Sequence, residues 1–193
     1  MITAGIDLGS TYLKAVVLSD MAVKGYAVLP TGHDHDETAR SALGVALQMA
    51  NLRQEDIRYI VSTGYGRRVT TLANETISEI SANAEGTRFV ARTLGVRTIL
   101  DIGGQDTKAI ALDEKLNIDT FAMNDKCAAG TGRFIESLAG VLGVGIDDMG
   151  PLSLKSKSPL KITSTCTVFA RSEVVTLIAE GKPKEDIIAG IHE

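Results

Sequence analysis

Two short stretches carry the residue types that can hold a polyphosphate. Asp7-Leu8-Gly9-Ser10-Thr11-Tyr12-Leu13-Lys14 continues into Ala15-Val16-Val17-Leu18. Ninety-four residues later, Asp101-Ile102-Gly103-Gly104-Gln105-Asp106-Thr107-Lys108 continues into Ala109-Ile110-Ala111-Leu112. Asp, Gly and Lys recur at identical offsets. Glycine at the tip of a strand-turn-strand lets backbone amides point at an anion. Ser10, Thr11 and Lys14 add donors and charge, and Tyr12 and Leu13 complete the first turn. Gly103, Gly104, Gln105 and Asp106 form the second. Two such turns facing each other would grip a polyphosphate from both sides. Asp7 and Asp101, at equivalent strand ends, would hold a hydrated Mg²⁺, which binds through few carboxylates plus phosphate oxygens. Gln105 or Asp106 would orient an attacking water, as a Gln does in other nucleotide hydrolases. One copy alone reads better as a tight hairpin with glycine where φ > 0 is needed; the matched pair favours a ligand. No P-loop and no Gly-x-Gly-x-x-Gly fingerprint occurs.

These turns need strands to carry them. Ile2, Ala4, Ile6 and Leu8 alternate, as do Leu13, Ala15 and Val17, and third strands follow at Val23–Leu29 and Leu116–Met123. Ala39, Leu43, Ala46, Leu47 and Ala50 keep helical spacing, with Asp34 or Asp36 as N-cap. Arg58–Thr63 reads as a strand and Glu79–Leu94 as a helix. Phe134, Leu138, Val141 and Leu142 mark one helix of the second copy; Val168, Phe169, Val175, Leu177 and Ile178 mark another. A β-β-β-α-β-α pattern begun twice is a duplicated α/β unit with mixed sheets. The expected domains are 1–95 and 96–193, joined near Gly95. Asp186–Ala189 is still helical close to Glu193, so the second copy is expected to be C-terminally short.

Composition narrows the classes. With 44% hydrophobic and 23% charged residues, the 193-residue chain is globular. A net charge of −4 with no run of five like charges, no Trp and 4% aromatic residues give nucleic-acid binding no support. No apolar run reaches the roughly 18 residues of a membrane span, and the start lacks a basic leader, so a cytoplasmic protein is expected. Only two cysteines occur, Cys127 and Cys166, poor disulfide candidates in a reducing compartment. His33-Asp34-His35-Asp36 is metal-competent in type, but its place at a helix start reads as a capping loop.

The two hairpins resemble those of the actin, sugar-kinase and heat-shock-chaperone ATPase superfamily, whose domains are ribonuclease-H-like. Three further stretches narrow the resemblance: Asn124-Asp125-Lys126-Cys127-Ala128-Ala129-Gly130-Thr131-Gly132-Arg133-Phe134, Ser164-Thr165-Cys166-Thr167-Val168-Phe169-Ala170, and Ser62-Thr63-Gly64-Tyr65-Gly66-Arg67. Together they look like the activator component of 2-hydroxyacyl-CoA dehydratases, a family shared with the ATPase subunits of benzoyl-CoA reductase. The resemblance implies ATP/ADP binding with Mg²⁺, with Gly130 and Gly132 joining the cofactor site. It implies a homodimer with one 4Fe–4S cluster, ligated by Cys127 and Cys166 of each subunit. It also implies a dehydratase or acyl-CoA reductase partner that receives single electrons, and a ferredoxin or flavodoxin that supplies them.

The cysteines agree with this on chemical grounds. Two thiolates cannot fill a four-thiolate cluster shell, and a two-fold axis doubles them to four. Each cysteine precedes a helical stretch, 130–142 and 167–179, and helix N-termini favour thiolates and anionic clusters. No Cys-x-x-Cys pair or nearby His completes a zinc site. Two other readings stay open: a small-molecule kinase or ATP-regulated binding protein of the same fold with structural cysteines, and a non-enzymatic interaction module.

Overall fold

The structure is a computed structural model that describes residues 1–124 and 131–193. Its elements run β1 (Ile2–Leu8), β2 (Tyr12–Ser19), β3 (Ala22–Pro30), α1 (His35–Ala50), β4 (Tyr59–Thr63), β5 (Glu75–Thr76), α2 (Glu79–Val90), β6 (Thr98–Ile102), β7 (Thr107–Leu112), β8 (Ile118–Met123), α3 (Gly132–Leu142), α4 (Ile146–Ser153), α5 (Thr167–Ala179) and α6 (Lys184–His192). Two compact units emerge. One comprises Met1–Ile99 with Ala111–Asp119, the other Leu100–Ile110 with Thr120–Glu193.

In the first unit five strands lie in the order β3-β2-β1-β4-β5. The β1–β2 and β2–β3 pairs are antiparallel, whereas β1–β4 and β4–β5 are parallel. This is the mixed sheet expected. Period-two alternation sends Ala4, Ile6, Leu8, Leu13, Ala15, Val17 and Ala27 to one face, where they form a core with Ala39, Ala42, Leu43, Ala46 and Leu47 of α1. The small residues of α1 permit close approach. A Cβ added at Gly25 would overlap the carbonyl oxygen of Ala46. Asp34 is the N-cap, its carboxylate accepting from the Glu37 amide at 3.0 Å, and Asn51 closes α1 in the left-handed region at φ 53°.

A three-stranded sheet in the order β6-β7-β8 carries the second hairpin. Four helices follow it. Phe134, Leu138, Leu142, Met149, Ala170, Val174, Ile187, Ile188 and Ile191 make their shared core. Three details differ from expectation. β8 starts at Ile118 because Leu116 turns the chain at φ 63°, and α2 stops at Val90 rather than Leu94. Helix α4, containing Pro151, had no periodic signature because it spans only eight residues. Among the described residues, no helix is long and apolar enough to cross a membrane.

Candidate functional site

Asp7 lies one residue before the end of β1 and pairs in register with Lys14, the third residue of β2, with Leu8 opposite Leu13. Lys14 Nζ donates to Asp7 Oδ2 at 2.8 Å, the lysine side chain being 49% exposed and the aspartate 33%. Leu13 is fully buried in the core, so only its backbone faces the turn; Ser10 and Thr11 are half-buried and Tyr12 is exposed. The turn is tight: a Cβ on Gly9 would lie 2.5 Å from the Tyr12 carbonyl oxygen. It is also braced. The Thr31 amide donates to the Thr11 carbonyl at 2.9 Å, and Thr31 Oγ1 to the Gly9 carbonyl at 2.8 Å. The Thr11 hydroxyl oxygen is buried and has no hydrogen-bond partner among the described residues.

The segment after β4 closes the other side of Asp7. Asp7 and Thr63 are parallel-register partners. Gly64 adopts φ +94°, and a Cβ there would lie 2.5 Å from Asp7 Oδ1 and 2.6 Å from the Leu8 carbonyl oxygen. Glycine is required at this one position both for its φ and for the approach. The Gly66 amide donates to the Leu8 carbonyl at 2.9 Å. Ser62 Oγ donates to the Arg67 carbonyl at 2.8 Å, and the Arg67 guanidinium to the Gly64 carbonyl at 3.1 Å. The sequence marked Ser62–Arg67 only through a resemblance; the packing on Asp7 supplies the reason.

Nearby, Asp34 caps α1, and Asp36 is tied down by the Thr71 amide at 2.9 Å, Thr70 Oγ1 at 2.8 Å and Arg40 at 2.9 Å. The Thr71 amide, then the Thr70 hydroxyl, hold the Asp36 carboxyl below the ordinary carboxylate range. These acids therefore serve the fold.

The second hairpin has the same sequence plan and a different environment. The Gly103 amide donates to the Asp106 carbonyl at 2.8 Å. Lys108 lies 2.6 Å from Asp106 Oδ1 and 3.4 Å from Asp101 Oδ2, on a side chain only 5% exposed. Lys108, Ile110 and Leu112 are the buried set of β7, whereas in β2 the buried set is Leu13, Ala15 and Val17 and the lysine lies on the opposite face. The two copies thus bury opposite faces relative to their lysines. Gln105 is exposed at the tip, while Gly103, Gly104 and Asp106 are half-buried.

Helix α3 starts on this turn. The Gly132 amide donates to the Gly103 carbonyl at 2.9 Å, and the Arg133 amide to the Gly104 carbonyl at 3.0 Å. The buried Thr131 caps the helix by accepting from the Phe134 amide at 3.3 Å. Upstream, the Thr107 amide donates to Asn124 Oδ1 at 2.8 Å, and the Asn124 amide returns a bond to the Thr107 carbonyl at 3.1 Å. Both flanks of 125–130 are therefore hydrogen-bonded to one hairpin. Cys127 and Gly130 themselves lie outside the described residues.

Cys166 occupies the N-cap position of α5 in extended backbone, and its carbonyl accepts from the Ala170 amide at 3.0 Å. Its thiol is free and half-buried. Val168 and Phe169 beside it are 68% and 66% exposed. Among the described residues no three His, Cys, Asp or Glu side chains cluster as a metal site.

Residues 4–193 match the BadF/BadG/BcrA/BcrD ATPase family. The chain belongs to that family. It is 47% identical over 193 residues to the activator of lactoyl-CoA dehydratase from Anaerotignum propionicum, covering all of this chain and 73% of that protein. Its fold matches the crystal structure of component A of (R)-2-hydroxyglutaryl-CoA dehydratase from Acidaminococcus fermentans with a TM-score of 0.85 at 41% identity, over 100% of this chain and 73% of that one. The activator of 2-hydroxyisocaproyl-CoA dehydratase from Clostridium difficile, solved with bound ADPNP, matches with a TM-score of 0.84 at 41% identity, covering 100% of this chain and 71% of that one. The expected actin-like ATPase fold is thereby shown for this family member.

Proposed function

We propose that this chain is an ATP-dependent activator that hydrolyses ATP to drive single electrons from a dimer-shared 4Fe–4S cluster into a 2-hydroxyacyl-CoA dehydratase or a related acyl-CoA reductase. A ferredoxin or flavodoxin supplies the electrons. One observation carries the reading: the turn proposed to bind phosphate is hydrogen-bonded to both described flanks of the stretch that includes Cys127, through Gly103–Gly132, Gly104–Arg133 and the two Thr107–Asn124 bonds. Family membership and the ADPNP-bound relative support nucleotide binding.

In this reading Ser10, Thr11 and Lys14 of the first hairpin and the amides of Gly104, Gln105 and Asp106 of the second contact phosphate oxygens, while the Gly103 amide closes the turn on the Asp106 carbonyl. The buried, unpartnered Thr11 hydroxyl fits such a role, because a hydroxyl left without a partner is costly to keep. Asp7 and Asp101 would hold a hydrated Mg²⁺, and the exposed Gln105 would orient the attacking water. The Cys166 thiol at the start of α5 suits a thiolate ligand, since the first-turn amides favour negative charge there. The exposed Val168 and Phe169 beside that thiol support an apolar surface that a second copy would cover. The cluster, when bound, supplies the one-electron chemistry.

Anaerobic purification with iron, sulfide and native-mass analysis tests this. About four iron and four sulfide per dimer are expected, by the four-thiolate count. Cys127→Ser and Cys166→Ser should each lose the cluster. Full retention by both variants would exclude the shared site.

A further inference from the structure

Thr63 carries a group left without a partner among the described residues. Its Oγ1 is buried and makes no hydrogen bond among the described residues. Valine has nearly the same shape and suits a strand at least as well, so packing gives no reason for a hydroxyl here. Position gives one. Thr63 is the parallel-register partner of Asp7, and register partners project from the same sheet face. Tyr59, Val61 and Thr63 alternate with the buried Ile60 and Ser62, so Thr63 shares the face that Asp7 and Lys14 occupy, opposite α1. The next residue, Gly64, comes so close that a Cβ there would lie 2.5 Å from Asp7 Oδ1, while Lys14 holds Oδ2. Lys14, Asp7 and Thr63 thus form one row across β2, β1 and β4.

We infer that Thr63 is a further ligand-binding residue: its hydroxyl hydrogen-bonds the water shell of the divalent cation that Asp7 serves. The inference rests on the magnesium role proposed above for Asp7. Mg²⁺ keeps several of its waters when bound, and those waters need acceptors beyond a single carboxylate. A hydroxyl, which both accepts and donates, meets that need without adding a second negative charge beside Asp7.

The test uses the full chain with ADP and Mg²⁺ as probes, titrated calorimetrically with Mg²⁺ or with EDTA. Thr63→Val should lower the Mg²⁺-dependent gain in ADP affinity by about tenfold, the worth of one hydrogen bond near a charge. Its affinity in EDTA should stay within about twofold of the parent, and Thr63→Ser should restore the magnesium response. Ligand-free Thr63→Val should melt no lower than the parent, since it loses only an unpaired buried hydroxyl. An unchanged magnesium response in Thr63→Val, with Asp7→Asn impaired, overturns this inference alone. An unchanged response in Asp7→Asn overturns the magnesium reading of Asp7 and this inference with it.

Discussion

Lys14 and Lys108 hold the same place in the repeat, yet removing their charges should have unequal consequences. The Lys108 ammonium, on a side chain 5% exposed, lies within 3.4 Å of Asp101 Oδ2 and 2.6 Å of Asp106 Oδ1. Methionine keeps the stem and removes the charge. Two carboxylates, 32% and 41% exposed, then share a site that has lost its cation. Breaking a fully buried ion pair costs about 3–5 kcal/mol, and the partial exposure of both acids reduces this to about 2–3 kcal/mol. Lys14 and Asp7 are 49% and 33% exposed, and a pair of that kind contributes about 0–1 kcal/mol. For a chain of this length 1 kcal/mol moves Tm by about 2–4 °C. Lys108→Met should therefore melt about 4–12 °C below the parent, and Lys14→Met no more than about 4 °C below it. Scanning calorimetry without nucleotide measures both, and a salt series separates their causes. The Lys14 effect should fade near 1 M salt, where the screening length is about 3 Å, while the Lys108 effect persists. Equal shifts, or a Lys108→Met shift that salt abolishes, would refute the assignment of a buried structural lysine to the second hairpin.

Three further outcomes follow from local geometry. Gly190→Ala should lose about 1–2 kcal/mol: alanine is the better helix former by about 1 kcal/mol, but its Cβ overlaps the Leu160 carbonyl oxygen. Gly44→Ala, on an exposed helix face with nothing within 4 Å, should gain up to about 1 kcal/mol, and urea midpoints at constant m-value read both. The Asp186 carboxyl is held below the ordinary carboxylate range chiefly by the Ser156 hydroxyl, then by the Ser158 and Lys157 amides. Its stabilising charge is fully present above the ordinary carboxylate pKa and is lost as pH falls through the lowered one. Asp186→Asn should thus be less stable than the parent at pH 7, and the gap should close below about pH 4. A gap that persists to low pH would show that the charge is not responsible.

The duplicated hairpins, the helix over Ala39–Ala50 and the helices around Leu138 and Val174 were legible because strong periodicity and a repeated motif marked them. A cap at Asp34 or Asp36 was legible for the same kind of reason, a short polar side chain before an apolar-periodic run, and the structure selects Asp34. Short elements carried no such mark, and β5 and α4 went unread. The different fates of Lys14 and Lys108 were also hidden. Sequence repeats the lysine, but which face of a strand is buried depends on what packs there, and identical local patterns do not encode that. Gly64 illustrates a third kind of gap. Its need for positive φ and its approach to Asp7 come from a parallel pairing between strands more than 50 residues apart in sequence, which no local window contains.

The divergence between the hairpins has a functional direction. In the first, Lys14 is half exposed, two hydroxyls nearby are buried without partners among the described residues, and the brace comes from strand ends at Thr31 and Gly66. Those are features of a turn still short of interactions, which a bound anion and cation would supply. In the second, the lysine is already neutralised by two carboxylates, and the tip carbonyls already accept from the first turn of α3. A ligand at that tip meets a backbone committed to a helix start, so any shift it causes in Gly103 or Gly104 is resisted by, and passed to, Gly132 and Arg133. Two backbone hydrogen bonds contribute about 1–3 kcal/mol net. Nucleotide binding can bias this frame only by its difference in affinity for the two arrangements. Coupling through these two bonds alone is accordingly bounded at a few kcal/mol, which for one electron corresponds to about 40–130 mV. A change of that size is useful to a redox protein and small enough to be reversed in each cycle of ATP hydrolysis.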